Sequence, residues 1–199
     1  MAKLRPLVLA STSPYRRELL ERLGLPFQCL NPGVDEHPVL HEPPTERALR
    51  LAADKARSVA GRIPDALVIG SDQVASLDGE ILRKPGNHAN ALSQLAKLSG
   101  RTACFDTAIA LLDSRSGEIF CELVSCTVSY RTLSKAEIEA YVAEDTPYDC
   151  AGSAKAERLG ITLVSAIHSS DPTALIGLPL IALTTLLRDA GMPVLPRPC

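Results

Sequence analysis

No P-loop signature, G-x-x-x-x-G-K-[ST], occurs anywhere in the chain, which disfavours an ordinary kinase or P-loop ATPase. Tryptophan is absent, other aromatics make up only 4% of the residues, and no apolar run approaches the ~20 residues of a membrane span. The N-terminus lacks a signal-peptide pattern, so the cytoplasm is the expected compartment. An excess of one charge is missing too. The formal net charge is −2, whereas non-specific nucleic-acid binding needs a basic face. Six cysteines are present: Cys29, Cys104, Cys121, Cys126, Cys150 and Cys199. None forms C-x-x-C or stands at zinc spacing from a histidine. Most occupy apolar or strand-like surroundings and are expected to be buried, reduced thiols. The histidines (His37, His41, His88, His168) form no triad or ligand pattern. No internal repeat, low-complexity tract or obvious linker interrupts the chain. The remaining composition, 46% hydrophobic and 22% charged over 199 residues, is ordinary for a soluble protein. It allows one domain or two closely joined lobes, burying about 70% of the unfolded surface.

The chain turns on residues 7–20, L-V-L-A-S-T-S-P-Y-R-R-E-L-L. Leu7, Val8 and Leu9 read as a buried strand. Ser13 is a good N-cap, and Pro14 suits the first turn of a helix, where its missing N–H costs nothing. Leu19, Leu20 and Leu23 supply an apolar stripe. A strand entering a helix start rich in hydroxyls (Ser11, Thr12, Ser13) is a ready anion site. Arg16 and Arg17 stand against the helix dipole, at a penalty of a few tenths to about 1 kcal/mol. They are either solvated surface or a guanidinium grip on a polyanion.

Further along, Gly24 ends this helix and residues 26–30 read as a short strand. The turn N-P-G-V-D-E carries Asp35 and Glu36, either solvated loop acids or ligands for a hard cation that takes its remaining ligands from phosphate. Residues 43–61 form a long helix with Lys55 among small residues, either a snorkelling surface lysine or a phosphate-facing charge. Residues 66–70 give the strongest buried-strand signal, ending at Ser71-Asp72-Gln73. A carboxylate at the carboxyl edge of a core strand stands where α/β folds place ligands. No helix resumes after it, so Asp72 is not a helix cap. Instead Asp78-Gly79 signals a hairpin within residues 74–82, followed by the basic pair Arg83-Lys84. A helix starts at Asn87 or His88. Two strands, 102–112 and 119–130, have the partial alternation of an antiparallel pair with one covered face. Ser134 and Glu137 form a capping box. Residues 145–160 are loop-like, 161–166 a strand and 178–190 a helix. The expected fold class is α/β, a mixed sheet flanked by helices in two lobes with a central cleft.

Arg16, Arg17, Lys55 and Lys84 with Asp35, Glu36 and Asp72 suit a metal-bound triphosphate, in which cations neutralise phosphate and carboxylates hold the metal and steer water. The segments L-A-S-T-S-P-Y-R-R-E-L-L, V-D-E, the K-A of Asp54-Lys55-Ala56, I-G-S-D-Q-V, R-K-P, C-A-G-S-A-K-A-E and G-L-P-L resemble the Maf family of nucleoside triphosphate pyrophosphatases. They occur in the family's order over nearly the whole chain. The likeness is greatest to the bacterial subgroup acting on 7-methyl-GTP. It implies a single domain over residues 1–199 with two lobes, a fold similar to inosine triphosphate pyrophosphatases, and cleavage between the α and β phosphates. By this resemblance Asp72 is the proton acceptor and a metal ligand, and Glu36 a metal-side carboxylate for Mg²⁺ or Mn²⁺. Ser11, Ser13, Arg16, Arg17, Lys55 and Lys84 grip phosphate, while Tyr15, Gln73 and Glu157 set specificity. The cationic 7-methylguanine ring suits a tyrosine face, and a glutamate can accept from the guanine N1–H and exocyclic amine. One departure is Arg83, where a glycine commonly precedes the K-P pair, which raises the question of backbone freedom there.

Two other readings are weighed against this one. A dTTP/UTP pyrophosphatase would tend to carry arginine, threonine and glutamine in place of Tyr15, Gln73 and Glu157. A non-catalytic nucleotide- or DNA-binding regulator of cell division is opposed by the acidic balance and the retained Asp72. The expected partner is a nucleoside triphosphate, with no membrane and no nucleic acid, and with a homodimer from family habit and base rates.

Overall fold

The apolar run near the N-terminus becomes strand β1 (Leu7–Leu9), buried at every position, as an interior parallel strand requires. The computed structural model describes residues 5–37 and 39–195. Helix α1 (Pro14–Glu21) follows, with Ser13 as N-cap accepting from the Arg16 N–H and Pro14 in the first turn. Next come β2 (Gln28–Cys29), α2 (Pro44–Ala60), β3 (Leu67–Leu77), β4 (Glu80–Leu82) and α3 (His88–Leu98). The chain continues through β5 (Thr102–Asp113), β6 (Ile119–Tyr130), α4 (Lys135–Asp145), β7 (Val164–Ser169) and α5 (Leu180–Asp189). The strands form one mixed sheet in the order β2-β1-β3-β5-β6-β7, with β4 paired to β3. β1 runs parallel to β2 and β3, while β4 is antiparallel to β3 and β7 to β6. The class is therefore α/β, as expected. No helix among the described residues is long and apolar enough to cross a membrane.

The chain divides into two compact units. The first comprises residues 1–73, 107–124 and 171–199. Its core packs Leu7 and Leu9 of β1, Leu67 and Ile69 of β3, and Ile109 and Leu111 of β5 against Leu19 and Leu20 of α1 and Leu183, Leu186 and Leu187 of α5. These are alternate strand positions, so one sheet face carries them. Each fully buried leucine or isoleucine is worth roughly 1.5–3 kcal/mol of transfer free energy. The second unit comprises residues 74–106 and 125–170. Here Asn87 caps α3 through the Asn90 N–H, and Ser134 and Glu137 form the reciprocal capping box at α4. Asp78 and Gly79 take φ of 51° and 83°, the left-handed pair that a tight Asp-Gly hairpin needs.

Several expectations require correction. β3 does not stop before Asp72 but runs on to Leu77, because the hairpin with β4 extends its pairing. The late strand begins at Val164 rather than residue 161, since Leu159–Leu163 closes into 3-10 turns. The last helix begins at Leu180, after Gly177 adopts φ 118°. The expected second strand shrinks to two exposed residues. The thiols are not generally buried: Cys29 and Cys121 are exposed, Cys104 and Cys150 are half-buried, and only Cys126 is enclosed among the described cysteines. Cys199 lies outside the described residues. Arg83 is not among the residues with positive φ, so the backbone there needs no glycine.

One ion pair in the first unit joins the segment before β1 to the end of β5. Arg5 holds Asp113 through two bonds, Nη1 to Oδ2 at 2.9 Å and Nη2 to Oδ1 at 2.5 Å. Arg5 foremost, with the Arg115 and Ser116 N–H groups, lowers the Asp113 carboxyl to about 2. A depressed carboxylate contributes stability above its ordinary value and loses it as pH falls through the folded one. Arg5→Met is therefore expected to cost about 1–2 kcal/mol at neutral pH. The gap to wild type should close between pH 3.8 and about 2, read from urea midpoints across that range. A gap independent of pH would contradict this assignment.

Candidate active site

Strand alternation sorts the S-D-Q segment of β3 onto two faces. Val68, Gly70 and Asp72 share one face; Leu67, Ile69, Ser71 and Gln73 share the other. Helix α2 lies on the first, so close that a Cβ at Gly70 would fall inside the van der Waals envelope of the Ala52 carbonyl oxygen and 2.8 Å from the Ala56 nitrogen. Glycine in a strand interior often marks such an approach of two backbones. Lys55, one residue before Ala56, is thereby carried to Asp72. Its Nζ lies 2.6 Å from Asp72 Oδ1, with only 5% of Lys55 and 8% of Asp72 exposed. This excludes the snorkelling reading of Lys55.

The same ammonium reaches Glu36 Oε1 at 2.7 Å. Glu36 sits on the N-P-G-V-D-E loop, which two arginines tie down. Arg47 Nη2 donates to the Glu36 carbonyl at 2.8 Å, and Arg62 Nη1 to the Asn31 carbonyl at 3.0 Å. Asn31 Oδ1 accepts from the Gly33 N–H at 2.9 Å and sets the turn. Asp35, the neighbouring carboxylate, pairs instead with His37, whose hydrogen bonds hold it below its ordinary range.

Across the strand, Arg16 of α1 donates Nε–H to the Gly177 carbonyl at 2.9 Å. Burial lowers the Arg16 pKa, and the charges of Asp72 and Glu36 oppose that shift, so the guanidinium feels both carboxylates. Ser71 Oγ shares its single proton between Gly177 O, at 3.0 Å, and Ala108 O, at 2.9 Å. The turn bearing Gly177 is braced by Asp171, which accepts from Thr173 N–H at 2.9 Å and Ile181 N–H at 2.6 Å. Ahead of α1, Ser11 Oγ accepts from Ser13 N–H at 3.1 Å and Ser13 Oγ from Arg16 N–H at 3.4 Å. Accepting these bonds leaves each hydroxyl proton available as a donor.

The structure thus brings Arg16, Glu36, Lys55 and Asp72 together in the first unit. Ser11, Ser13, the half-buried Tyr15 and Gln73 belong to the same unit. Arg17 takes a different part. Its side chain is 64% exposed and pairs with Glu21 at 3.0 Å, the i,i+4 contact of a solvated helix face. Lys84, after β4, and Glu157, in the turn before Leu159, are both exposed residues of the second unit. Reading the sequence missed Gly70, Arg47, Ser71 and Asp171 as positioning residues. For Gly70 a signal existed, a glycine inside a strong strand pattern.

An ammonium shared by two carboxylates is a cation site already filled by a cation. Asp72 and Glu36 supply the one or two carboxylates that Mg²⁺ takes beside substrate phosphates. No group of three or more His, Cys, Asp or Glu suited to a metal occurs among the described residues. The donor set therefore fits an ion that draws its other ligands from water and substrate.

Residues 6–190 match the family described as Maf-like protein. A curated protein of Aromatoleum aromaticum named 7-methyl-GTP pyrophosphatase is 56% identical over 186 residues, covering 94% of this chain and 96% of its own. Another of that name, from Ralstonia nicotianae, is 55% identical over 189 residues, covering 95% and 97%. Among solved structures, the Ham1 protein of Staphylococcus aureus is similar at 18% identity and a TM-score of 0.46, covering 64% of this chain and 73% of that one.

The close approach at Gly70 yields a direct test. Gly70→Ala is expected to lower stability by about 3 kcal/mol, the upper range for overpacking, and to reduce nucleotide turnover by moving Lys55 away from Asp72. Thermal melting and steady-state kinetics measure both. An alanine variant as stable as the wild type would refute the contact between the α2 and β3 backbones.

Proposed function

The chain belongs to the Maf family, and from that premise we propose that it is a nucleoside triphosphate pyrophosphatase hydrolysing 7-methyl-GTP to 7-methyl-GMP and pyrophosphate. The observation that carries the hydrolytic part is the buried Asp72 carboxylate on the Lys55 ammonium, with Glu36 on the same nitrogen. Oδ1 of Asp72 is engaged by Lys55, which leaves Oδ2 to take a proton from water. That water attacks the α-phosphorus. The bond to the α–β bridging oxygen breaks, and its electron pair leaves with pyrophosphate. Arg16, Lys55 and the hydroxyls of Ser11 and Ser13 offset the charge gathering on the phosphates. Lys84 is a further phosphate contact by family resemblance, whereas Arg17 would have to leave Glu21 to become one. Asp72 and Glu36 would hold Mg²⁺ or Mn²⁺, which when bound supplies Lewis-acid polarisation of the phosphoryl oxygens.

For the base, the Tyr15 ring suits the cationic 7-methylguanine face, at about 0.5–2 kcal/mol. Glu157 can accept from the guanine N1–H and amine, a donor pair that pyrimidines do not offer. Gln73 completes the specificity set. The two units are read as lobes of one catalytic domain. The enzyme would act in the cytoplasm as a homodimer on free nucleotides, with no nucleic-acid partner.

Asp72→Asn should lower kcat by about 10²–10⁴, the usual worth of general base catalysis, while melting as a folded protein. Near-normal kcat would remove Asp72 from the chemistry. Pyrophosphate release from 7-methyl-GTP, GTP, dTTP and UTP tests the substrate; preferential release from dTTP or UTP would overturn the reading. Glu157→Gln replaces a charged acceptor and should narrow the preference for 7-methyl-GTP over dTTP by about tenfold. An unchanged ratio of kcat/KM would release Glu157 from base recognition.

A further inference from the structure

Gln73 carries a polarity that its neighbours impose. Its amide nitrogen Nε2 lies 3.0 Å from Thr107 Oγ1, 2.9 Å from the Ala174 carbonyl oxygen and 3.0 Å from that of Leu175. Two of these are main-chain carbonyls, which only accept. Turning the amide over would set Oε1 against both and exchange two attractions for two repulsions, so the network fixes the assignment of nitrogen and oxygen. Thr107, fully buried on β5, gives its own proton to the Ala174 carbonyl at 2.9 Å. Its oxygen therefore has a lone pair to receive Gln73. The two amide hydrogens are consumed on three acceptors. The half-buried side chain has one polar group left to offer a ligand, the acceptor Oε1.

We propose that Thr107 is a positioning residue that fixes the orientation of Gln73, and that position 73 selects substrates by accepting a hydrogen bond from a donor on the nucleotide. This rests on the 7-methyl-GTP reading and deepens it. On that substrate the donors in question are the exocyclic amine of the base and the ribose 2′-hydroxyl. A half-buried acceptor that the bound substrate covers penalises an analogue lacking the donor, because the acceptor is then desolvated without a partner. Thr107 never touches the nucleotide. Its hydroxyl acts through the amide alone, so its loss should blur selection rather than stop hydrolysis.

The test compares 7-methyl-GTP with two analogues, 7-methyl-ITP, which lacks the exocyclic amine, and the 2′-deoxy form, which lacks one ribose hydroxyl. In the wild type, one analogue should lose about tenfold in kcat/KM, which identifies the donor read as base or sugar. In Thr107→Val that penalty should shrink to about threefold or less, chiefly through a higher KM for 7-methyl-GTP with kcat little changed. Thr107→Ser, which restores the hydroxyl, should restore the penalty. Gln73→Leu should abolish it, and serves as the second probe should the buried valine impair folding. Equal losses on all three substrates in Thr107→Val, or wild-type ratios in Thr107→Val or Gln73→Leu, would overturn the inference while leaving the pyrophosphatase reading intact. A wild type that hydrolyses none of the three would overturn both.

Discussion

The contact between Lys55 and Asp72 constrains everything around it. A carboxylate and an ammonium that are almost wholly enclosed have lost most of their hydration, and each is tolerated only because the other is there. That mutual dependence fixes the distance between α2 and β3, and the glycine at position 70 is what lets the two backbones come so near. Replacing the pair with apolar residues of similar volume would leave a core of comparable stability. What it would lose is a localised negative oxygen in a dry setting, beside a cation that a second carboxylate also touches. Those are properties that phosphoryl transfer to water draws upon.

On the opposite face of β3, main-chain carbonyls do the organising. The turn at residues 174–177 presents carbonyl oxygens to Arg16, Ser71, Gln73 and Thr107. Four side chains from three separate elements are aligned by one short turn, itself held by Asp171 and Thr173 at the start of α5. Helix α5 has no side-chain cap of its own; the buried Asp171 carboxylate takes over that duty from ten residues upstream. Lys55 and Asp72 thus meet on one strand face, and hydrogen-bond direction is set on the other.

Much of this scaffold was legible in the chain. Ser13 with Pro14, Asn87, and Ser134 with Glu137 start helices where expected, since a cap is a bond to an N–H within one turn. The Asp78-Gly79 hairpin was legible for the same reason: its backbone demands φ > 0. The continuation of β3 past Asp72 was not, because residues 71–73 are polar, and the strand is carried on by residues 75–77 pairing with β4, on the far side of the turn. Nor was the exposure of Cys29, on the short exposed strand β2, or of Cys121, next to the exposed Phe120.

The candidate site divides along the same line. Residue types and order picked out Arg16, Arg17, Lys55 and Lys84 with Asp35, Glu36 and Asp72 as a group, and the resemblance to a known family pointed to the pyrophosphatases. Only the folded chain decided that Glu36 rather than Asp35 shares the lysine, that Arg17 turns to Glu21, and which way Gln73 points. The reason is range. Caps, turns and apolar periods are settled over a few neighbouring residues, whereas Lys55 meets Asp72 across 17 positions and Arg16 meets Gly177 across 161. Such meetings depend on how closely one backbone packs on another, and no local pattern encodes that distance.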